Sequence, residues 1–255
     1  MTTARVLQFS DTHLFADPGG AIRGVRTLAS LRACLEHARR RHLPADVVAV
    51  TGDLVHDEEA AYALLQAALD GFAAPMLLIP GNHDRPDALR RRFCAPPFQV
   101  GGTLEVGSWT VVMLETWFPE SANGEGRLGP EGLRGLDTDL ARAAGRHVLV
   151  CLHHPPVAME TPSLDALGLI DAEAFLTALG RHSNVRAVAW GHAHQSLDLY
   201  RGDVRFMCTP ATCMQFKPRV EGFVTDDRPP GYRVIDLQED GGVASEVVWL
   251  EGYRP

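Results

Sequence analysis

Hydrophobic and polar positions follow two different periods along this chain. Short apolar runs of about five residues alternate with longer stretches in which apolar residues recur every three or four positions. In the first of these longer stretches, Leu28, Leu31, Leu35 and Ala38 share one helical face. The pattern predicts an α/β fold in which strands alternate with helices.

The predicted elements fall into two halves. The first half has strands at Arg5–Phe9, Asp46–Val50 and Pro75–Ile79, and helices at Thr27–His42, at Asp57–Phe72 and from Pro86. The second half begins with a hairpin over Glu105–Glu115 that turns near Gly107 and Ser108, followed by a glycine-rich loop at Asn123–Gly129 and a helix from Pro130. Strands at His147–Leu152 and Val185–Trp190 then lie on either side, along the chain, of a helix at Asp171–His182. The remaining elements are strands at Leu197–Tyr200, Val204–Met207, Tyr232–Leu237 and Glu246–Leu250. No internal repeat or linker rich in Pro, Gly or Ser divides the chain, so residues 1–255 are expected to form one domain.

Composition and charge narrow the class of protein. The chain is 45% hydrophobic and 22% charged, which is typical of globular proteins. A formal net charge of −8 argues against a broad surface for a nucleic-acid polymer. No apolar run reaches the roughly 18 residues of a membrane span, and Met1–Ser10 has no signal-peptide pattern. We therefore expect a soluble, cytoplasmic protein without a membrane partner.

The cysteines give no sign of a disulfide framework or a thiolate metal site. The sequence has five of them, an odd number, and none forms a CxxC pair. Cys208 and Cys213 are near each other along the chain, but reduced thiols remain the expectation for a reducing compartment.

Metal-binding residue types follow five of the predicted strands. The five motifs are Asp11-Thr12-His13, Gly52-Asp53, Gly81-Asn82-His83-Asp84, His153-His154-Pro155 and Gly191-His192-Ala193-His194. Ligands of open α/β sheets bind beyond the carboxyl ends of the strands, so the motifs are expected to converge on one cleft. The i, i+2 spacing within the first and last motifs points both donors the same way if those segments are extended.

The donor types favour particular metals. Imidazole with carboxylate and amide oxygen, and without sulfur, favours Fe, Mn, Zn or Co. Seven donors are too many for one tetrahedral zinc ion but suit two ions that share a carboxylate. The formal charges of two M²⁺ ions, two aspartates and one hydroxide add up to +1. A phosphodiester monoanion neutralises this charge. Each motif alone occurs in ordinary loops, but together they predict a dinuclear hydrolase.

The same motifs, in the same order, resemble those of the calcineurin-like metallophosphoesterases. The resemblance implies a four-layer α/β/β/α sandwich with mixed sheets and two divalent metal ions, with Fe or Mn expected and Zn or Co as alternatives. By position, the ligands of one ion would be Asp11, His13, Asp53 and His194, and those of the other Asp53, Asn82, His153 and His192. His153 is chosen because the family's ligand lies two residues before the proline, and His154 is expected to point away from the metals.

A finer resemblance connects the chain to bacterial class III cyclic-AMP phosphodiesterases. It is carried by Thr12–Phe15, Gly24–Thr27, Thr209–Pro218 and Pro230–Arg233, with Ala211 where that family has a serine. The resemblance implies hydrolysis of 3′,5′-cyclic AMP to 5′-AMP by attack of a metal-bound hydroxide. His83 would protonate the leaving alkoxide and Asp84 would orient its imidazole, while Asn82, His83 and His194 would contact the substrate.

Several alternatives stay open at this point. Another phosphodiester or a phosphomonoester, such as a glycerophosphodiester or a nucleotide, would use the same ligands. A nuclease would call for a basic surface, and a non-catalytic scaffold would have lost ligands that this chain retains. The Thr209–Pro218 segment either holds the nucleotide or forms a structural loop or dimer contact, and an exposed β-edge in the C-terminal part could pair two chains into a homodimer. The other histidines are expected to be surface or packing residues: His37, His42, His56, His147 and His182.

Overall fold

The computed structural model describes residues 2–253 and contains short and long strands interspersed with helices. The strands are β1 (Thr2–Phe9), β2 (Ala21–Ile22), β3 (Val25–Arg26), β4 (Val47–Thr51), β5 (Met76–Ile79), β6 (Phe98–Val100), β7 (Gly102–Val106), β8 (Trp109–Met113), β9 (His147–Cys151), β10 (Val185–Trp190), β11 (Leu197–Arg201), β12 (Val204–Cys208), β13 (Gln215–Phe216), β14 (Thr225–Asp226), β15 (Gly231–Gln238) and β16 (Val243–Trp249). The helices are α1 (Thr27–Arg41), α2 (Tyr62–Leu69), α3 (Pro86–Arg92), α4 (Gly129–Arg142), α5 (Pro162–Asp165) and α6 (Ala172–Leu179), with a 3₁₀ turn at Glu59–Ala61.

The longer strands form two mixed six-stranded sheets. The first has the order β16-β15-β1-β4-β5-β6, in which β1, β4, β5 and β6 run parallel, β15 is antiparallel to β1, and β16 is antiparallel to β15. The second has the order β11-β12-β10-β9-β8-β7, with a parallel centre and antiparallel strands at both edges. Strand β16 is an edge of the first sheet, where the sequence analysis expected an exposed edge.

Side-chain alternation along the strands separates the layers. In β4, Val47 and Ala49 face the second sheet, whereas Val48 and Val50 pack against the helices on the other side. Helices α1, α2 and α3 cover the outer face of the first sheet, and α4 and α6 cover that of the second. This arrangement confirms the expected four-layer α/β/β/α sandwich.

The structure differs from the sequence prediction in a few elements. The helix expected over Asp57–Phe72 is a 3₁₀ turn at Glu59–Ala61 followed by α2, because Asp57 has a left-handed backbone with φ of +64°. Strand β6 and helix α5 were not predicted. Both are short, three and four residues, and neither is long enough to show a period.

Two further observations concern expectations from composition. Within residues 2–253, none of the helices combines the length and the apolar character that crossing a bilayer requires. All five cysteines lie in this range and are unpaired, and only Cys94 is exposed.

Candidate metal centre

The five motifs lie in loops that leave the carboxyl ends of five parallel strands. Five of the predicted ligands adopt left-handed backbone conformations, with φ of +54° for Asp11, +42° for His13, +49° for Asp53, +65° for His192 and +49° for His194. Residues other than glycine rarely adopt this region, at a cost of roughly 1–3 kcal/mol each, and such strain concentrates at functional sites. The extended segments assumed from the i, i+2 spacing are therefore wrong. The donors still come together around Asp53, because tight turns direct them there.

A first group of donors consists of two histidines and two aspartates. The Nε2 atoms of His13 and His194 are 3.1 Å apart. Oδ2 of Asp53 lies 3.4 Å from Nε2 of His13, and Oδ1 of Asp11 lies 3.6 Å from Nε2 of His194. These are the four residues that the family resemblance assigned to one metal ion.

A second group lies on the other side of Asp53. Nε2 of His153 lies 3.4 Å from Oδ1 of Asp53, 3.3 Å from Oδ1 of Asn82 and 3.2 Å from Nδ1 of His192. Asp53 thus presents one carboxylate oxygen to each group. This is the geometry expected of a carboxylate that bridges two ions.

The donor set fits two bound divalent ions. Imidazole nitrogens only 3.1–3.2 Å apart bring lone pairs together, which is unfavourable unless a proton or a cation lies between them. Two nitrogens each about 2.1 Å from one ion have this separation. The residues present therefore suit the metal ions that the family uses.

Backbone carbonyls fix the orientation of two ligand rings. Nδ1 of His153 lies 2.8 Å from the carbonyl oxygen of Thr51, and Nδ1 of His194 lies 2.7 Å from that of Met214. A carbonyl can only accept, so each Nδ1 carries the proton and each Nε2 presents its lone pair to the cleft.

The charge states of two ligands, Asp53 and His192, favour ligation. Burial acts to raise the pKa of Asp53, but neighbouring His153 and His13 outweigh it and hold that pKa well below its usual range. Burial, reinforced by His153, lowers the pKa of His192 to about 3. Asp53 is therefore an anion and His192 a neutral donor at neutral pH, the forms that bind metal ions.

Two motif glycines are required by the close approach of ligands. A Cβ atom on Gly81 would lie 2.3 Å from Oδ1 of Asp53 and 2.6 Å from Nε2 of His153. A Cβ atom on Gly191 would lie 1.8 Å from Oγ of Ser10 and 2.6 Å from Oδ2 of Asp11. No side chain fits at either position without moving a ligand or the residue beside it.

The imidazole of His83 has a different partner from the one expected. Its Nδ1 lies 3.1 Å from Oδ2 of Asp57, whereas the carboxylate of Asp84 accepts hydrogen bonds from the backbone N–H groups of residues 54, 55 and 81 and from the Tyr62 hydroxyl. The orienting role expected for Asp84 is therefore wrong. Asp84 is fully buried, which raises its pKa to about 7, and it ties together the loops that carry Asp53 and Asn82.

His56 belongs to the site although the sequence analysis treated it as a surface or packing residue. Its ring stacks on that of His83, with centroids 4.6 Å apart and an interplanar angle of 23°. Its Nδ1 lies 3.1 Å from Nδ1 of His13. His56 lies three residues after Asp53 in the same loop. This proximity along the chain is the only feature of the sequence that could have indicated a place for His56 in the site. His37, His42, His147 and His182 are absent from the lining of the cleft.

His154 directs both ring nitrogens towards protein atoms. Nδ1 lies 2.8 Å from Oγ1 of Thr116, and Nε2 lies 3.1 Å from the carbonyl oxygen of Gly124. Although the ring is near His153 and His192, its nitrogens are already used. This agrees with the choice of His153 as the ligand.

Five of the seven donors line the floor of a cleft of about 190 Å³. His13, Asp53, Asn82, His83, His192 and His194 contribute to this floor, together with His56. The walls are largely apolar and come from three separate segments: Ile22 of β2, Leu164 and Leu167 in and just after α5, and Met214, Phe216 and Phe223 near the C-terminal part of the chain. The cleft thus combines a cation-binding floor with an apolar wall.

Comparisons with known proteins agree with this geometry. Residues 4–196 match the calcineurin-like phosphoesterase family. The chain is similar to the 3′,5′-cyclic adenosine monophosphate phosphodiesterase CpdA of Escherichia coli K12, at 36% identity over 252 residues that cover 98% of this chain and 91% of that protein. It is also similar to the CpdA protein of Pseudomonas aeruginosa, at 33% identity, covering 94% and 88%. Among solved structures, a dimetal phosphatase from Danio rerio superposes with a TM-score of 0.71 at 16% identity, covering 98% and 99%, and therefore shares the fold.

Proposed function

Because the chain belongs to the calcineurin-like phosphoesterase family, we propose that it hydrolyses 3′,5′-cyclic AMP to 5′-AMP with two divalent metal ions. One observation carries the proposal: the seven donors come together in two groups around Asp53, in a chain that resembles CpdA proteins over almost its whole length. The family itself makes the chain a metal-dependent phosphoesterase. The substrate and the dinuclear mechanism are the proposal.

The ligands divide between two sites that share Asp53. The first ion would be held by Asp11, His13, Asp53 and His194, and the second by Asp53, Asn82, His153 and His192. Fe or Mn suits this set best, and Zn or Co is the alternative. Such ions supply positive charge to the phosphate and lower the pKa of the attacking water.

His83 is placed to protonate the leaving group. Its Nδ1 donates to Asp57, which leaves Nε2 for an oxygen of the substrate in the cleft that the ring lines. In cyclic AMP the leaving group is the 3′-oxygen of the ribose, an alkoxide that needs a proton as the P–O bond breaks. His83 would donate that proton, and Asp57 would keep the imidazole oriented.

Asn82 and His194 complete the expected substrate contacts. Both line the cleft on either side of Asp53 and His83, so a phosphate bound over the floor lies against all of them. In the proposal, Asn82 and His194 act first as metal ligands. Because both line the cleft, they would also contact the phosphate oxygens of the substrate.

The test is hydrolysis by purified protein reconstituted with Fe²⁺ or Mn²⁺. Cyclic AMP and bis(p-nitrophenyl) phosphate would be incubated in parallel and the products separated by chromatography, with Asn82→Ala as the control. We expect the wild type to produce 5′-AMP. In Asn82→Ala, both the production of 5′-AMP and the metal content should be lost. Cleavage of the aryl diester with cyclic AMP untouched would contradict the substrate and favour another phosphodiester.

A further inference from the structure

The apolar wall beside the metal ligands has a built and partly exposed aromatic surface. Phe216 is half-buried and has two close neighbours: its ring centroid lies 5.0 Å from that of His194, and the Arg23 guanidinium carbon lies 5.3 Å from the same ring. Phe223 lies against Phe216, with centroids 5.5 Å apart, yet 42% of its surface is exposed. Phe223 is therefore the more exposed of the two phenylalanines that line the cleft.

Hydrogen bonds from two directions hold this aromatic segment in place. The Arg23 guanidinium donates to the carbonyl oxygen of Phe223 at 2.6 Å and to Oγ1 of Thr225 at 3.2 Å. The backbone N–H of Gly222 donates to Oγ of Ser163 at 2.8 Å. The segment is thus tied to the β2–β3 hairpin on one side and to α5 on the other. A preorganised wall of this kind loses little conformational freedom when a ligand binds.

We propose that Phe223 stacks on the purine base of a bound nucleotide and that the wall of Ile22, Leu164, Leu167, Met214 and Phe216 encloses that base. This proposal rests on the proposed function, since it assumes that a nucleotide phosphate lies over the metal ligands. The wall starts directly beside one of these ligands, because Phe216 contacts His194. A phosphate bound there must direct its organic substituent along this wall. Among substituents of phosphodiesters, a flat aromatic base matches an exposed ring and an apolar wall best.

The proposal also assigns a role to part of the Thr209–Pro218 segment. Met214 and Phe216 supply two of the wall residues, and Ala211, Cys213 and Met214 form a small apolar cluster beneath them. The segment continues to Phe223 through the β13–β14 pair, in which Phe216 pairs with Thr225. It would therefore hold the nucleotide through its base, while the metal ligands hold the phosphate.

The test compares two ligands that differ only by the base. Binding of 5′-AMP and of ribose 5-phosphate to the metal-loaded protein would be measured by isothermal titration calorimetry. We expect wild type to bind 5′-AMP more tightly and Phe223→Ala to weaken 5′-AMP about tenfold while ribose 5-phosphate is unchanged, because loss of one base–aromatic contact has this size. Phe223→Tyr keeps the ring and should restore tight binding. Val224→Ala is the matched control, since Val224 is adjacent, 46% exposed and absent from the cleft.

The outcomes separate this proposal from the proposed function. If the protein hydrolyses cyclic AMP but the ratio of its affinities for 5′-AMP and ribose 5-phosphate is the same in wild type and Phe223→Ala, the base site is overturned and the activity is retained. A Phe223-dependent preference for 5′-AMP in a protein that does not cleave cyclic AMP would support the base site and contradict the activity. An equal loss of affinity for both ligands in Phe223→Ala would overturn the base site, since it would show a general disturbance of the cleft.

Discussion

Nδ1 of His83 lies 3.1 Å from Oδ2 of Asp57, and this contact joins two motif loops on one side of the cleft. Asp57 lies four residues after Asp53, at the point where a left-handed backbone interrupts the expected helix. Burial acts to lower the pKa of His83, but the charge of Asp53 and the hydrogen bond that His83 donates to Asp57 outweigh it, and the pKa is raised. The pair therefore favours the protonated form of a ring that lines the cleft.

Replacing Asp57 by Asn should slow cyclic AMP hydrolysis more than hydrolysis of an activated diester. The ribose 3′-alkoxide needs a proton when it leaves, whereas p-nitrophenolate leaves without one. We expect kcat for cyclic AMP to fall at least about tenfold, within the range of a general acid's contribution. The rate with bis(p-nitrophenyl) phosphate should change little, and metal content should stay at the wild-type level.

Two further variants make this comparison sharper. His83→Ala should show the same dependence on the leaving group, with a larger loss for cyclic AMP. Glu59→Gln is the control: it removes an exposed carboxylate of the same loop region that pairs with Arg91 instead. A parallel fall of both substrates in Asp57→Asn would refute the role as a partner of the acid.

His56→Ala should weaken metal binding, because His56 contacts a ring nitrogen of the ligand His13 at 3.1 Å. Groups that orient a metal-bound imidazole typically contribute about 10–100-fold in metal affinity. We expect His56→Ala to lower the metal affinity by about tenfold, the lower end of this range, measured by competition with a chromophoric chelator. His182→Ala is the control, since its ring contacts Asp137 rather than the centre. An unchanged metal dissociation constant in His56→Ala would leave His56 as a packing residue only.

Gly81→Ala should disrupt the centre although it adds a single methyl group. That group would lie 2.3 Å from Oδ1 of Asp53 and 2.6 Å from Nε2 of His153, so a ligand must move. A displacement of about 1 Å at an active site costs about a hundredfold in rate. We expect metal content and activity to fall together. The matched control is Gly135→Ala in helix α4, where the added methyl has no neighbour within 4 Å and should stabilise the helix by about 0.5–1 kcal/mol. Full metal loading of Gly81→Ala would contradict the steric argument.

The alternation of strands and helices could be predicted from local patterns, because the short apolar run of β4 and the helical periodicity of α1 are visible in the residues themselves. The four-layer sandwich and the ligand positions were instead implied by the family resemblance, which rests on motifs that directly follow the strands. The positions of Asp57 and His56 depend instead on a left-handed turn after Asp53, which no hydrophobic period reveals.

The misassigned role of Asp84 has the same origin. Asp84 is adjacent to His83 in the sequence, which suggested a contact between the two side chains. The chain turns there, so that the Asp84 carboxylate is buried and accepts hydrogen bonds from backbone N–H groups of neighbouring loops. The apolar wall was equally hidden, since Ile22, Leu164 and Phe223 meet only through tertiary structure. Sequence indicates which residues follow the strands; the loop backbone determines where their side chains point.

A buried polar network beneath the centre gives a last prediction, for stability. Oγ1 of Thr209 donates to Oε1 of Gln8 at 2.6 Å and accepts from Nε of Arg233 at 3.2 Å. Gln8 in turn donates to Oγ1 of Thr51, whose carbonyl oxygen accepts from the ligand His153. The network therefore links the two sheets to the metal centre.

Thr209→Val keeps the shape of the side chain but leaves Oε1 of Gln8 and Nε of Arg233 without the hydroxyl that each contacts. An unsatisfied buried group costs about 1–3 kcal/mol, so the free energy of unfolding in urea should fall by about that amount. The control is Thr138→Val, because Thr138 is exposed on α4 and its hydroxyl bonds only to the carbonyl of Arg134 within the same helix. Equal stability of both variants would show that water or a rearranged Gln8 replaces the lost bond. A drop confined to Thr209→Val, with reduced metal affinity, would show that the network beneath Thr51 also positions His153.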